Sequence, residues 1–156
     1  MFDDADPIDE VRECFRRRIP EVAGGGVDLV LIARDQGSRT LVAVRSADGT
    51  VDPVSACSRR LKELARDLGE KIGVILYSAQ PQALIHAAVL PTGPVGSSRT
   101  PSIVLDDAAR VAWVEVEPDS VTFLSTPGHV ARLRLVSKLV GWEVRITAGR
   151  RGGRGA

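Results

Sequence analysis

The sequence predicts an α+β fold in which one small helix-and-strand unit occurs twice. Three observations predict it. First, Val54, Cys57, Leu61, Leu64, Ala65 and Leu68 recur at three- and four-residue spacings, so they form one apolar stripe on a helix. The opposite face carries Arg59, Lys62, Glu63, Arg66 and Asp67. Second, the runs at 27–34 and 110–117 are β-branched and aliphatic and read as strands. Third, LGEKIGVI at 68–75 is paralleled by VGWEVRIT at 140–147, each a helix end, a glycine and an apolar strand.

The elements follow in order. Positions 1–7 form an acidic tail, and Asp3, Asp4, Asp6, Asp9 and Glu10 all fall within the first ten residues. Ile8, Val11, Cys14, Phe15 and Arg18 predict a short helix ending before Pro20. Gly24-Gly25-Gly26 is a turn, and Asp35-Gln36-Gly37-Ser38 joins strand 27–34 to a return strand from Arg39. Asp52 caps the central helix, Pro53 suits its first position, and Gly69 closes it in a left-handed conformation. A third strand covers 71–77.

The order then repeats. Helix 81–89 leads to a Pro/Gly/Ser-rich loop at 91–101 and to strands at 103–105 and 110–117. Pro118-Asp119-Ser120 opens a short helix through Leu124, and 125–129 is a turn. Val130, Leu133, Val136, Leu139 and Val140 predict a second long helix, closed by Gly141 and followed by a last strand at 142–147. The Arg/Gly tail at 148–156 reads as disordered.

Composition narrows the function. With 44% hydrophobic and 26% charged residues, 156 positions suffice for one ordinary core or two small ones. A formal charge of +1 means that any basic footprint must be local. Cys14 and Cys57 have no metal-ligand spacing and read as free buried thiols of a reducing compartment. No run is long enough to span a membrane and the N-terminus lacks a signal-peptide pattern, so a cytoplasmic location is expected. His86 and His129 belong to no catalytic or metal-binding constellation. The expectation is a non-enzyme with no cofactor, no metal and no small-molecule substrate. Trp113 and Trp142 are read as core residues.

IPEVAGGGVDLVLIARDQGSRTLVAV, VDPVSAC, GEKIGVILYS and ALIHAAVLP resemble the first KH domain of the NusA family of bacterial transcription elongation, termination and antitermination factors. VTFLSTPGHVARLRLVSKLVGWEVRI is similar to the family's second KH domain. The resemblance runs from about Phe15 to Thr147. It implies two tandem prokaryotic-type (type II) KH domains, each α-β-β-α-α-β, over 8–78 and 79–147. The family's polymerase-binding and OB-type domains do not fit before Phe15, so a KH-only chain is expected.

A KH domain clamps about four nucleotides with a GXXG loop between two helices. In the first domain the family's loop follows the cysteine matched by Cys57. Here Ser58-Arg59-Arg60 follows instead and the apolar stripe runs on, which predicts that the two helices have fused. In the second domain an ungapped match places the loop on Pro127, Gly128, His129 and Val130, with neither family glycine retained.

The RNA-binding candidates are therefore cationic. Arg132, Arg134 and Lys138 lie in an acid-free stretch of the later helix. Arg59, Lys62 and Arg66 make a second stripe, which Glu63 and Asp67 could equally neutralise. Gly128 and His129 mark the degenerate turn. Arg150, Arg151 and Arg154 resemble an RGG segment. Arg34 and Arg39 flank the first hairpin, where turn pairing and RNA contact are equally open. The resemblance implies a protein that holds single-stranded RNA, with RNA polymerase or other transcription factors as further partners. The alternative is a pseudo-KH adaptor that has lost RNA and contacts proteins of the transcription machinery.

Overall fold

The computed structural model describes residues 7–89, 102–116 and 126–148. The chain divides after Tyr77 into two compact units, 1–77 and 78–156. Each carries a three-stranded sheet with helices, a mixed α+β architecture.

The first unit runs α1 (Pro7–Arg18), α2 (Pro20–Ala23), β1 (Val27–Asp35), β2 (Arg39–Ser46), α3 (Pro53–Ser58), α4 (Leu61–Leu68) and β3 (Lys71–Leu76). β1 and β2 form an antiparallel hairpin, and β3 returns parallel to β2 from Arg39↔Lys71 to Val44↔Leu76. Val11, Cys14, Phe15, Ile19, Val27, Leu29, Val42, Val44, Ala56, Cys57 and Leu64 are buried together, so α1, α3 and α4 share one core against one face of the sheet. The single-turn helix α2 was not anticipated. Pro20 starts it, and Gly24 to Gly26 end it through amide bonds back to Pro20, Val22 and Glu21.

The predicted helix fusion is corrected. α3 ends at Ser58, and Arg59 and Arg60 make a two-residue turn, with Arg60 at φ −114° and ψ 12° before α4 begins. The apolar stripe continues because both helices bury the same face, so periodicity could not reveal the break. The caps are as the sequence predicts. Asp52 Oδ1 accepts from the Ser55 amide at 3.2 Å, and Gly69 closes α4 at φ 69°.

The second unit contains α5 (Pro81–Val89), β4 (Ser102–Asp106), β5 (Val111–Val116), α6 (Pro127–Val140) and β6 (Glu143–Ala148). β4 and β5 are antiparallel, and β6 is parallel to β5. Its buried residues include Ile85, Ala88, Val114, Val136 and Trp142. The predicted loop at 91–101 and short helix at 118–124 lie outside the described residues.

The two sheets obey one numerical rule. Adding 72 positions moves Arg39 and its partner Lys71 onto Val111 and its partner Glu143. The same shift moves the left-handed cap Gly69 onto the left-handed cap Gly141. Strand, parallel partner and helix cap therefore keep one spacing in both units, as an internal duplication requires.

Candidate nucleic-acid interface

The shared 72-position spacing also relates the cations of the two units. On α4, Lys62 and Arg66 are one helical turn apart and exposed. On α6, Arg134 and Lys138 are likewise one turn apart and exposed. The 72-position shift carries Lys62 onto Arg134 and Arg66 onto Lys138, so each unit presents the same cationic pair at the same distance from its cap glycine. None of the four forms an ion pair among the described residues. The carboxylates expected to neutralise the first stripe are engaged elsewhere. Asp67 accepts from Arg18 Nε at 2.7 Å and from its Nη2 at 2.9 Å, and Glu63 pairs with Arg60 at 3.5 Å. The Arg18 hydrogen bonds hold the Asp67 carboxyl below its ordinary range.

The other predicted cations do different work. Arg132 falls on the stripe with Gly128, Leu135 and Leu139, whose two leucines are buried. It is half-buried, and its Nη2 donates to the Ala88 carbonyl at 2.8 Å, tying α6 to α5. Arg59 sits in the α3–α4 turn and pairs with Glu21 at 3.2 Å, although its side chain remains mostly exposed. Arg150, Arg151 and Arg154 lie outside the described residues.

No GXXG-type loop is present among the described residues. The Arg59–Arg60 turn has two residues, both with long side chains. The expected turn at 125–129 is corrected from Thr126 onward, because α6 starts at Pro127 and absorbs Gly128 and His129 into its first turn. Thr126 is its N-cap residue, and its hydroxyl lies 2.8 Å from His129 Nδ1. A helical first turn gives no backbone arch under which four nucleotides could be gripped.

Arg34 proves structural. Its guanidinium meets the Glu70 carboxylate through Nε and Nη2, with both side chains nearly inaccessible. Its Nη1 donates to Glu10 Oε1 and to the Pro7 carbonyl, both at 2.7 Å. Glu70 also accepts from the Thr40 hydroxyl and the Gly37 amide. Burial pushes the Glu70 carboxyl up, but the Arg34, Thr40 and Gly37 hydrogen bonds outweigh it and leave the net value lowered. Glu70 was missed as a partner in the sequence, although GEKI displayed it. Arg39 forms no ion pair among the described residues.

The remaining sequence candidates divide. Trp142 is buried beneath the Arg110 guanidinium, 4.4 Å from its ring centroid. Trp113, expected in the core, is instead 37% exposed on the open face of the second sheet, beside Arg145 and Val104. Cys14 and Cys57 are buried free thiols. Burial, then the Glu21 charge, pushes Cys57 up to about 12, so it is no nucleophile at neutral pH. Among the described residues no cluster of three His, Cys, Asp or Glu could hold a metal, and no helix is long and apolar enough to cross a membrane.

Residues 6–77 match the model of the NusA-like first KH domain. Over most of its length the chain is similar to transcription termination/antitermination protein NusA. It is 36% identical to the Thermus thermophilus protein over 138 residues, covering 85% of this chain and 34% of that one. It is 34% identical to the Mycobacterium tuberculosis H37Rv protein over 141 residues, covering 87% of this chain and 39% of that one. The chain thus spans little more than a third of these relatives. The crystal structure of APE1850 shares the fold, with a TM-score of 0.57 and 22% identity over 88% of this chain and 96% of that one. The first unit thus matches a NusA-like KH domain, and the chain over most of its length is similar to NusA.

Proposed function

We propose that the chain is a non-enzymatic RNA-binding protein acting in transcription elongation, termination or antitermination. In this reading 8–78 and 79–147 are tandem type II KH domains, and single-stranded RNA lies along equivalent faces of α4 and α6. The observation that carries it is the matched pair of exposed cations, Lys62 with Arg66 and Arg134 with Lys138, repeated at one spacing in both units. Without a glycine clamp, affinity comes from phosphate neutralisation, which is sequence-tolerant and weakens with salt.

The test is fluorescence anisotropy of a labelled single-stranded RNA at two salt concentrations. A variant with all four cations changed to Gln keeps helix propensity and removes only charge. Its affinity is expected to fall, and its salt slope to shrink by about 0.7 for each phosphate that is no longer neutralised. Unchanged affinity would remove this surface from the proposal.

The second reading is a protein-binding adaptor within the transcription machinery. It is favoured by the two-residue Arg59–Arg60 turn and by a helical start at Pro127 where a clamp would stand. Absence of RNA binding by the unaltered chain at low salt would favour it over the first.

A further inference from the structure

A cleft of about 330 Å³ opens along β1, and the cations of α4 are not among its lining residues. Arg12 and Arg16, one turn apart on α1, and Arg45 on β2 line it, and Asp28 is the one carboxylate among its described lining residues. With Glu13 pairing Arg16 from just outside the lining, the three guanidinium groups face two carboxylates, a local excess of one positive charge carried by Arg12.

The backbone shapes the place. β1 is an edge strand, and its register with β2 skips Val30 between Leu29↔Val44 and Leu31↔Ala43. Val30 lines the cleft, and Arg12 Nη1 donates to the neighbouring Leu29 carbonyl at 3.1 Å. Arg12 is thereby positioned with most of its five donors still unspent. Arg16 and Arg45 have only surface partners. Arg16 pairs with Glu13 across one helical turn. Arg45 stands 3.6 Å from Asp28 and 5.7 Å from the centre of the Tyr77 ring. Side chains of all four ion-pair members are close to half exposed or more, so these pairs are weak and exchangeable.

We propose that this cleft is a binding site for a phosphate group. One arginine satisfies a carboxylate, whereas a phosphate offers enough acceptor oxygens for several guanidinium forks approaching from a helix and a strand. The phosphate can belong to a nucleic-acid backbone or to a small phosphoanion. The lining includes no cation of α4, and the site does not depend on RNA binding by α4 or α6.

The experiment follows the arginine Nε–Hε resonances of the full chain. Inorganic phosphate is titrated first, then a single-stranded RNA without terminal phosphates, with chloride at matched ionic strength as the reference. Saturable movement of Arg12, Arg16 and Arg45 with phosphate is expected, and the Arg12 movement should be lost in an R16Q/R45Q variant. Asp28→Asn should tighten phosphate about two- to fivefold by removing the competing carboxylate. Movement with RNA as well assigns the phosphate to a polymer backbone, and movement with phosphate alone assigns it to a small anion. Shifts that chloride reproduces, or no saturable shift with either ligand, would overturn the site.

Discussion

Arg34 and Glu70, 36 positions apart, meet in a two-pronged ion pair, with Arg34 Nη2 2.6 Å and Nε 2.9 Å from Glu70 Oε2. One joins the end of β1, the other follows the cap of α4, and Arg34 Nη1 extends the link to α1 through Glu10 and the Pro7 carbonyl. The pair thus fastens the sheet, the central helix pair and the first helix at one point.

Arg34→Ala leaves the Glu70 carboxylate buried without its counter-charge. The expected cost is about 3–5 kcal/mol of unfolding free energy, measured by urea denaturation. Arg34→Lys should recover only part of it, because an ammonium cannot span both carboxylate oxygens and reach Glu10. Full recovery by lysine would show that charge alone matters here.

The same pair sets a pH dependence. The folded Glu70 carboxyl lies below its ordinary value of 4.5, so its contribution is complete above that value. It is lost as pH falls through the lowered folded value, where the native carboxylate takes up a proton. The stability gap between the unaltered chain and Glu70→Gln should therefore be widest near neutrality and narrow in acid. A gap independent of pH in a urea titration series would contradict this.

The two tryptophans should report separately. A Trp142→Phe chain retains Trp113, half-open to solvent, and its emission should be readily quenched by acrylamide. A Trp113→Phe chain retains the buried Trp142, whose emission should lie further to the blue and resist quenching several-fold better. Equal quenching of the two variants would place Trp113 in the core after all.

Local signals were legible in the sequence and long-range ones were not. Asp52, Gly69 and Gly141 announced their helix ends because capping depends on neighbours a few residues away. The break at Arg59–Arg60 was hidden, since Cys57 and Leu64 on either side bury the same face. Arg34 was noted, yet its partner lies in another element and no short-range pattern joins them. Arg132 was readable in principle, because it shares a stripe with Leu135 and Leu139. Trp113 misled by its size: its alternation partner on the same face is Glu115, while Ala112, Val114 and Val116 occupy the buried face. The matched cations Lys62/Arg66 and Arg134/Lys138 required only counting back from each cap glycine.

The parallel last strands carry a consequence for how such a chain is made. In each unit the closing strand pairs with one that emerged long before it, Lys71 beside Arg39 and Glu143 beside Val111. Such distant closures slow folding, and until they occur the waiting strand shows a bare edge. During synthesis the first unit can close while the second is still being made. A ribosome stalled just before Glu143 would instead leave β5 open to pairing with a neighbouring chain. The hazard of aggregation is thus concentrated in the strands that close each sheet, β3 and β6, whose loss would bare a central strand.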